Sequence, residues 1–281
     1  MLSETAARKL DELRSILRHM ESVAIGYSGG VDSTLLLRVA VDVLGSRALA
    51  MIGQSETYPT KEFEEAVALA AGMGARFTVV QTEETDQLKF SENPPDRCYY
   101  CKTELFGKLQ EVAEREGIPW IADGTITDDL GDFRPGMKAR GEQKVRSPLL
   151  EAGLSKAEVR EISRHLDLPT WDKPAFACLS SRFPYGVGIT RENLTRVDAA
   201  ETFLRERGFR FFRVRFHDTS TARIEVGPQE LTRLVVEPLR QDIVQHFKKL
   251  GFIYVTIDLQ GYRTGSMNEL LTAEQKREYT S

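Results

Sequence analysis

The sequence predicts an α/β chain, with a parallel sheet covered by helices on both faces and then a small α+β domain. Three observations carry this. Short apolar runs at Val23–Tyr27, Ala48–Ile52, Phe77–Gln81 and Trp120–Ala122 alternate with helical patterns at Thr34–Leu44, Lys61–Ala71 and Thr103–Glu114. That alternation is the mark of parallel strands joined by crossover helices. From Thr190 the order changes to helix, strand, strand, helix, strand. Between the two patterns lies Trp171 to Gly188, rich in Pro and Gly and without periodicity, which reads as an ordered loop and junction. The expected domains are therefore 1–188 and 189–281.

Each element has a local reason. Met1 to Met20 is amphipathic and helix-like. The run Val23-Ala24-Ile25-Gly26-Tyr27 is the first strand, and Thr34-Leu35-Leu36-Leu37-Arg38-Val39-Ala40 the first crossover helix. Ser155-Lys156-Ala157-Glu158 is a capping box opening a helix that ends near Leu166, before Pro169. In the second domain strands are expected at Phe211–His217, Ala222–Val226 and Ile253–Leu259. A long helix is expected from about Gln229 to Leu250, bent or broken at Pro238. On the first of these strands Phe212, Val214 and Phe216 share one face, and Arg213, Arg215 and His217 the other. The basic face is either solvated, as antiparallel sheets allow, or grips a phosphate or carboxylate with planar forks.

Composition narrows the classes. The chain has 281 residues, 41% hydrophobic and 28% charged, which suits a globular protein with ample core. A formal net charge of −4 gives no global basic field and weighs against a nucleic-acid substrate. No apolar run approaches the ~18 residues of a membrane helix. Glu4, Asp11 and Glu12 argue against a transit peptide, so a cytoplasmic protein is expected.

Ser28-Gly29-Gly30-Val31-Asp32-Ser33 joins the first strand to the first helix. Two glycines let the backbone approach an anion, and the helix start supplies N–H groups and dipole to hold it. It has neither the Gly-Lys-Ser/Thr of a Walker loop nor the spacing of a dinucleotide fingerprint. Ligands of such sheets bind beyond the carboxyl ends of the strands, so loops Ser28–Ser33, Gln54–Pro59 and Asp123–Asp129 should meet the bound ligand. Asp32 suits the helix start and, functionally, a magnesium ion beside a bound phosphate group. The six residues resemble the PP-loop of the N-type ATP pyrophosphatases, whose fold is Rossmann-like and which cleave ATP between its α and β phosphates.

Of the three cysteines, Cys98 and Cys101 form a CxxC within Arg97-Cys98-Tyr99-Tyr100-Cys101-Lys102, and Cys178 stands far downstream. An odd number is no disulfide framework. Four readings compete: structural zinc, which wants a fourth ligand; a dithiol redox motif, which wants the start of a thioredoxin-like first helix; inert buried thiols; and a [4Fe-4S] cluster with three thiolate ligands and one open iron.

Longer motifs then resemble the LarE family over almost the whole chain. They are Asp123-Gly124-Thr125, Arg134-Pro135-Gly136-Met137-Lys138, Arg146-Ser147-Pro148-Leu149, Trp171-Asp172-Lys173-Pro174-Ala175, Ala177-Cys178-Leu179-Ser180-Ser181-Arg182-Phe183-Pro184-Tyr185-Gly186 and Gly261-Tyr262-Arg263-Thr264-Gly265-Ser266. The resemblance implies an ATP-dependent sulfur transferase of nickel-pincer nucleotide biosynthesis. ATP would adenylylate a carboxylate of pyridinium-3,5-biscarboxylic acid mononucleotide, and sulfur would then displace AMP. In simpler members the cysteine matching Cys178 gives up its own sulfur. The added CxxC resembles the branch in which Cys98, Cys101 and Cys178 would hold a [4Fe-4S] cluster.

Residue by residue, the resemblance gives Ser28, Gly29, Gly30, Asp32 and Ser33 to ATP and Mg2+, with Asp32 and Cys178 catalytic, and the strand-end position of Gln54, Asp123, Gly124 and Thr125 adds them to the expected ATP site. Arg213 and Arg215 would hold the substrate's phosphate. Tyr99 would stack on the pyridinium ring or pack against the cluster. Asp128 or Asp129, with Glu201 and Glu225, would serve a metal, the substrate or a contact between copies of a homo-oligomer. Rival readings are a PP-loop tRNA thiolase, a nucleotide-binding iron–sulfur sensor without catalysis, and a synthetase of the NAD or GMP type.

Overall fold

A computed structural model describes residues 2–131, 136–174, 177–263, 265–272 and 274–275. Of the motif residues, Arg134, Pro135, Ala175 and Thr264 lie outside the described residues. The chain divides into two units, residues 1–83 with 98–176, and residues 84–97 with 177–279.

In the first unit, helix α1 (Glu4–Met20) is capped by the Ser3 hydroxyl. Strand β1 (Val23–Gly26) leads into α2 (Val31–Leu44), β2 (Ala48–Gln54), α3 (Thr60–Gly72) and β3 (Arg76–Gln81). The chain then passes through a short helix of the other unit, α4 (Leu88–Ser91). It returns as α5 (Arg97–Arg115), β4 (Ile121–Ala122), α6 (Gly136–Glu142), α7 (Pro148–Glu151) and α8 (Lys156–His165). The strands pair in parallel in the order β3-β2-β1-β4. Leu10, Leu13 and Leu17 of α1 pack with Leu35, Leu36 and Val39 of α2 in one cluster; Phe106 and Leu109 of α5 pack in another with Leu49 and Met51. Helices on both faces explain why β1 reads as a continuous apolar run.

The expected elements are present, with one correction that concerns the cysteines. Helix α5 begins at Arg97 rather than Thr103, so Cys98 and Cys101 lie in its opening turns. The Ser155 capping box forms as expected, with reciprocal bonds between Ser155 and Glu158.

The second unit holds α9 (Arg191–Glu206), β5 (Phe212–Phe216), β6 (Thr221–Val226), α10 (Leu239–Lys249) and β7 (Tyr254–Ile257). Its sheet is mixed: β5 is antiparallel to β6, and β6 parallel to β7. The long helix expected from Gln229 is broken. Residues Pro228–Val235 form a 3-10 segment, and α10 starts only after Pro238, where an imide cannot donate into a helix ladder. Phe183 stacks on Phe216 at 4.9 Å, and both are fully buried with Phe247 and Phe252. Among the described residues no helix is long and apolar enough to cross a membrane.

Candidate active site

The loop between β1 and α2 is built for an anion. Gly30 is the N-cap of α2 and supplies no side-chain cap, so the first-turn N–H groups face outward. Gly29 has φ +61°, and a Cβ there would stand 2.8 Å from the Cβ of Ala66 on α3. Only glycine serves there. The Ser28 and Ser33 hydroxyls lie 3.2 Å apart, and Ser33 Oγ accepts from the Ser28 N–H at 3.3 Å. These bonds close the loop on itself.

Two further strand ends converge on it. A Cβ on Gly124, just after β4, would come within 3.0 Å of the Ser33 nitrogen, so that loop packs directly on the start of α2. Beside it Asp123 is 8% exposed and accepts from Ser147 Oγ at 2.6 Å and from the Thr125 N–H at 3.1 Å and hydroxyl at 2.8 Å. Asp123 thus sets the loop's shape. Gln54 ends β2, its side-chain oxygen accepting from Gln81 Nε2 at 2.6 Å.

Asp32 is met by a residue to which the sequence reading gave no role. Lys156, first residue of α8, donates to both Asp32 oxygens at 2.8 and 2.6 Å, and its N–H donates to Asp128 at 2.9 Å. A cation in the first turn of a helix opposes the dipole, and that signal was visible in the sequence. Two other residues were also missed. The Tyr58 hydroxyl donates to the Ser28 carbonyl at 2.6 Å. Lys173 lies 3.4 Å from the Gly29 carbonyl and is paired with Glu62 at 2.7 Å and Glu65 at 2.9 Å. Asp129 accepts from the Ile126 N–H at 3.0 Å, a loop-shaping bond.

On α5, Cys98 and Cys101 are half-buried and one turn apart, so they share a helix face. The Tyr99 hydroxyl donates to Glu142 at 2.8 Å, and its ring meets Tyr100 edge-on at 5.4 Å. None of the three cysteines is in a disulfide. Among the described residues no group of three or more His, Cys, Asp or Glu side chains forms a ready metal site.

The second unit holds Cys178 at the head of a 3-10 turn, Leu179–Arg182. The Cys178 carbonyl accepts from the Ser181 hydroxyl at 2.8 Å and Arg182 Nη1 at 2.9 Å. Arg182 in turn forms a buried two-pronged pair with Glu201, at 2.9 and 2.7 Å. Burial pushes the Glu201 carboxyl up; the charge and hydrogen bonds of Arg182 more than reverse this, holding it below the ordinary carboxylate range. Arg215 grips Glu225 at 2.9 and 2.7 Å and donates to the Ser181 carbonyl at 2.9 Å. Both carboxylates raised as metal or contact groups are thus taken by arginines of their own unit. Arg213 lies 5.1 Å over the Tyr262 ring. Burial and then the charge of Arg182 push its guanidinium down from the ordinary arginine range. Arg182 pairs with Glu201, and Glu225 is shared by Arg215 and, at 3.1 Å, Arg223, so this unit gathers arginines around two buried carboxylates.

The segment before the CxxC is fastened in this unit too. Asn93 is fully buried at φ +59° and donates to the carbonyls of Pro184 at 2.7 Å and Val187 at 2.9 Å. It accepts from Arg97 at 2.7 Å, and Arg97 lies 4.8 Å over the Tyr185 ring.

A parallel sheet, an uncapped helix behind Ser-Gly-Gly and an acid at its first turn define a PP-loop domain of ATP-using enzymes, and the NAD synthase family matches residues 7–101. The likeness extends well past that domain. The pyridinium-3,5-bisthiocarboxylic acid mononucleotide synthase of Lactiplantibacillus plantarum is 39% identical over 96% of this chain and 98% of its own length. Uncharacterized proteins of Synechocystis and Methanocaldococcus jannaschii are 46% and 29% identical, over 94% and 92% of this chain and 98% of each relative. The chain belongs to the LarE family of such synthases.

Proposed function

We propose that this protein is a cytoplasmic ATP-dependent sulfur transferase, working as a homo-oligomer, that converts a carboxylate of pyridinium-3,5-biscarboxylic acid mononucleotide to a thiocarboxylate. The end-to-end likeness to a pyridinium-3,5-bisthiocarboxylic acid mononucleotide synthase carries this reading. The anion-ready loop at α2 supports it.

Chemistry fixes the order of events. A carboxylate is a poor electrophile until one oxygen becomes a leaving group. A substrate carboxylate oxygen attacks the α-phosphorus of ATP, the bond to the β-phosphate oxygen breaks, and pyrophosphate leaves. The PP-loop N–H groups stabilise the pyrophosphate, and Asp32 would supply a hard oxygen to Mg2+. Ser28, Gly30 and Ser33 form the loop, and Gln54, Asp123, Gly124 and Thr125 border the nucleotide. Arg213 and Arg215 of the second unit hold the substrate's phosphate. Sulfur then attacks the acyl carbon and expels AMP.

The sulfur has two candidate sources. In one, the Cys178 thiolate forms a thioester; a base removes its Cα proton, the Cβ–S bond breaks, and the thiocarboxylate departs, leaving dehydroalanine. In the other, three thiolates are the donor set of an iron–sulfur cluster. Held by Cys98, Cys101 and Cys178, a [4Fe-4S] cluster would supply a replaceable sulfide and leave Cys178 intact. We favour the second, because the sacrificial route gives Cys98 and Cys101 nothing to do.

Incubation with Mg–ATP and the biscarboxylic acid tests the function. Pyrophosphate release matched to thiocarboxylate formation supports it. Release of ADP, or turnover without the pyridinium acid, contradicts it.

A further inference from the structure

We propose that Tyr58 and Lys173 are positioning residues that set the peptide planes of the PP-loop, turning the Gly29 and Gly30 N–H groups toward the pyrophosphate. A peptide unit is planar, so the carbonyl of one residue and the N–H of the next point in opposite directions. Whatever holds the carbonyl therefore aims the N–H. The Tyr58 hydroxyl holds the Ser28 carbonyl at 2.6 Å, which fixes the Gly29 N–H. The Lys173 ammonium lies 3.4 Å from the Gly29 carbonyl, which biases the Gly30 N–H. The clamps fall on adjacent glycines, where the backbone is freest to rotate away from a binding arrangement.

Both clamps are rigidly built. The Tyr58 ring packs edge-on against Phe63 at 6.2 Å. Burial first, and then Glu62, Tyr27 and Glu65, push its hydroxyl far above the ordinary tyrosine range, so it is a donor at every working pH. Lys173 is anchored by Glu62 and Glu65, at 2.7 and 2.9 Å. Two carboxylates on one ammonium leave no surplus positive charge. Lys173 therefore acts on the loop by direction rather than by attracting phosphate, and this gives a role to the Lys of Trp171-Asp172-Lys173-Pro174.

The inference rests on the ATP reading of this loop. Equilibrium binding of ATP, inorganic pyrophosphate and adenosine is measured for the wild-type protein, Tyr58→Phe and Lys173→Met, with melting temperatures alongside. Tyr58→Phe removes one oxygen and keeps the ring. ATP and pyrophosphate should each bind about fivefold more weakly, the effect of one lost hydrogen bond, with adenosine unchanged. Lys173→Met should act in the same direction. Unchanged pyrophosphate binding in both variants, or equal loss for all three ligands in step with melting temperature, overturns the proposal. Wild-type protein that binds neither ATP nor pyrophosphate would overturn the ATP reading instead.

Discussion

Lys156 Nζ lies 2.8 and 2.6 Å from the two carboxylate oxygens of Asp32, so the acid of the PP-loop is bridged by a cation from another helix. Both side chains keep partial exposure, 36% and 25%, and such a pair is worth about 1 kcal/mol or less. The Mg2+ proposed at Asp32 would therefore displace it at little cost. Lys156→Met should lower the Mg2+ concentration for half-maximal pyrophosphate release about threefold, since competition for Asp32 is removed. Titration of Mg2+ at saturating ATP measures this, and an unchanged midpoint contradicts it.

Gly29→Ala should damage the loop in two separable ways. The left-handed backbone costs an L-residue about 1–2 kcal/mol, and the new methyl meets Ala66 at 2.8 Å. Adding Ala66→Gly, with the Ala66→Gly protein as its reference, removes the 2.8 Å contact but leaves the residue-66 Cα at 3.0 Å and the backbone cost. Chemical denaturation should show partial recovery of stability in the double variant, with none expected if only the dihedral mattered.

The Arg182–Glu201 pair is the clearest source of pH-dependent stability, with side chains only 3% and 4% exposed. Glu201 has a folded-state pKa below its unfolded value. Its contribution is thus complete above the unfolded carboxylate pKa of about 4 and is lost as pH falls through the folded value. Glu201→Gln should destabilise by about 3–5 kcal/mol at neutral pH by leaving Arg182 buried and unpaired. Its unfolding curve should also flatten toward acid, and a parallel curve would contradict the assignment.

Much of this was legible in the sequence where the cause is local. The strand, Gly-Gly turn and helix at 23–44 form as read, because apolar patterning and glycine freedom act over neighbouring residues. The start of α5 was missed because Cys-Tyr-Tyr-Cys has weak helix propensity that tertiary packing overrides. The clamps on the PP-loop were illegible for another reason. Tyr58 and Ser28 are 30 residues apart, and Lys173 and Gly29 are 144 apart, so only the fold brings them together.

Asn93 is expected to be indispensable to its unit. Asn93→Ala strips partners from the half-buried carbonyls of Pro184 and Val187 and from the buried bond to Arg97, a loss of about 3 kcal/mol. Asn93→Gly removes the φ +59° strain but not the hydrogen-bond loss, so it should recover only part. Full recovery would mean that the backbone angle alone matters.

The sulfur source separates by metal content. Anaerobic protein should carry about four irons with matching sulfide, and Cys98→Ala should lose them. Cys178 should keep its mass through repeated turnovers. Iron-free protein that turns over once, with Cys178 converted to dehydroalanine, would assign the sacrificial route.

Adenylylation is the centre of the account, and an isotope tests it most directly. Pyridinium-3,5-biscarboxylic acid mononucleotide carrying heavy oxygen in its carboxylates is turned over with unlabelled ATP, and the AMP is weighed. One heavy oxygen in the AMP for each thiocarboxylate formed is the predicted result. Unlabelled AMP, or label in inorganic phosphate released with ADP, would show that the carboxylate never attacks the α-phosphorus.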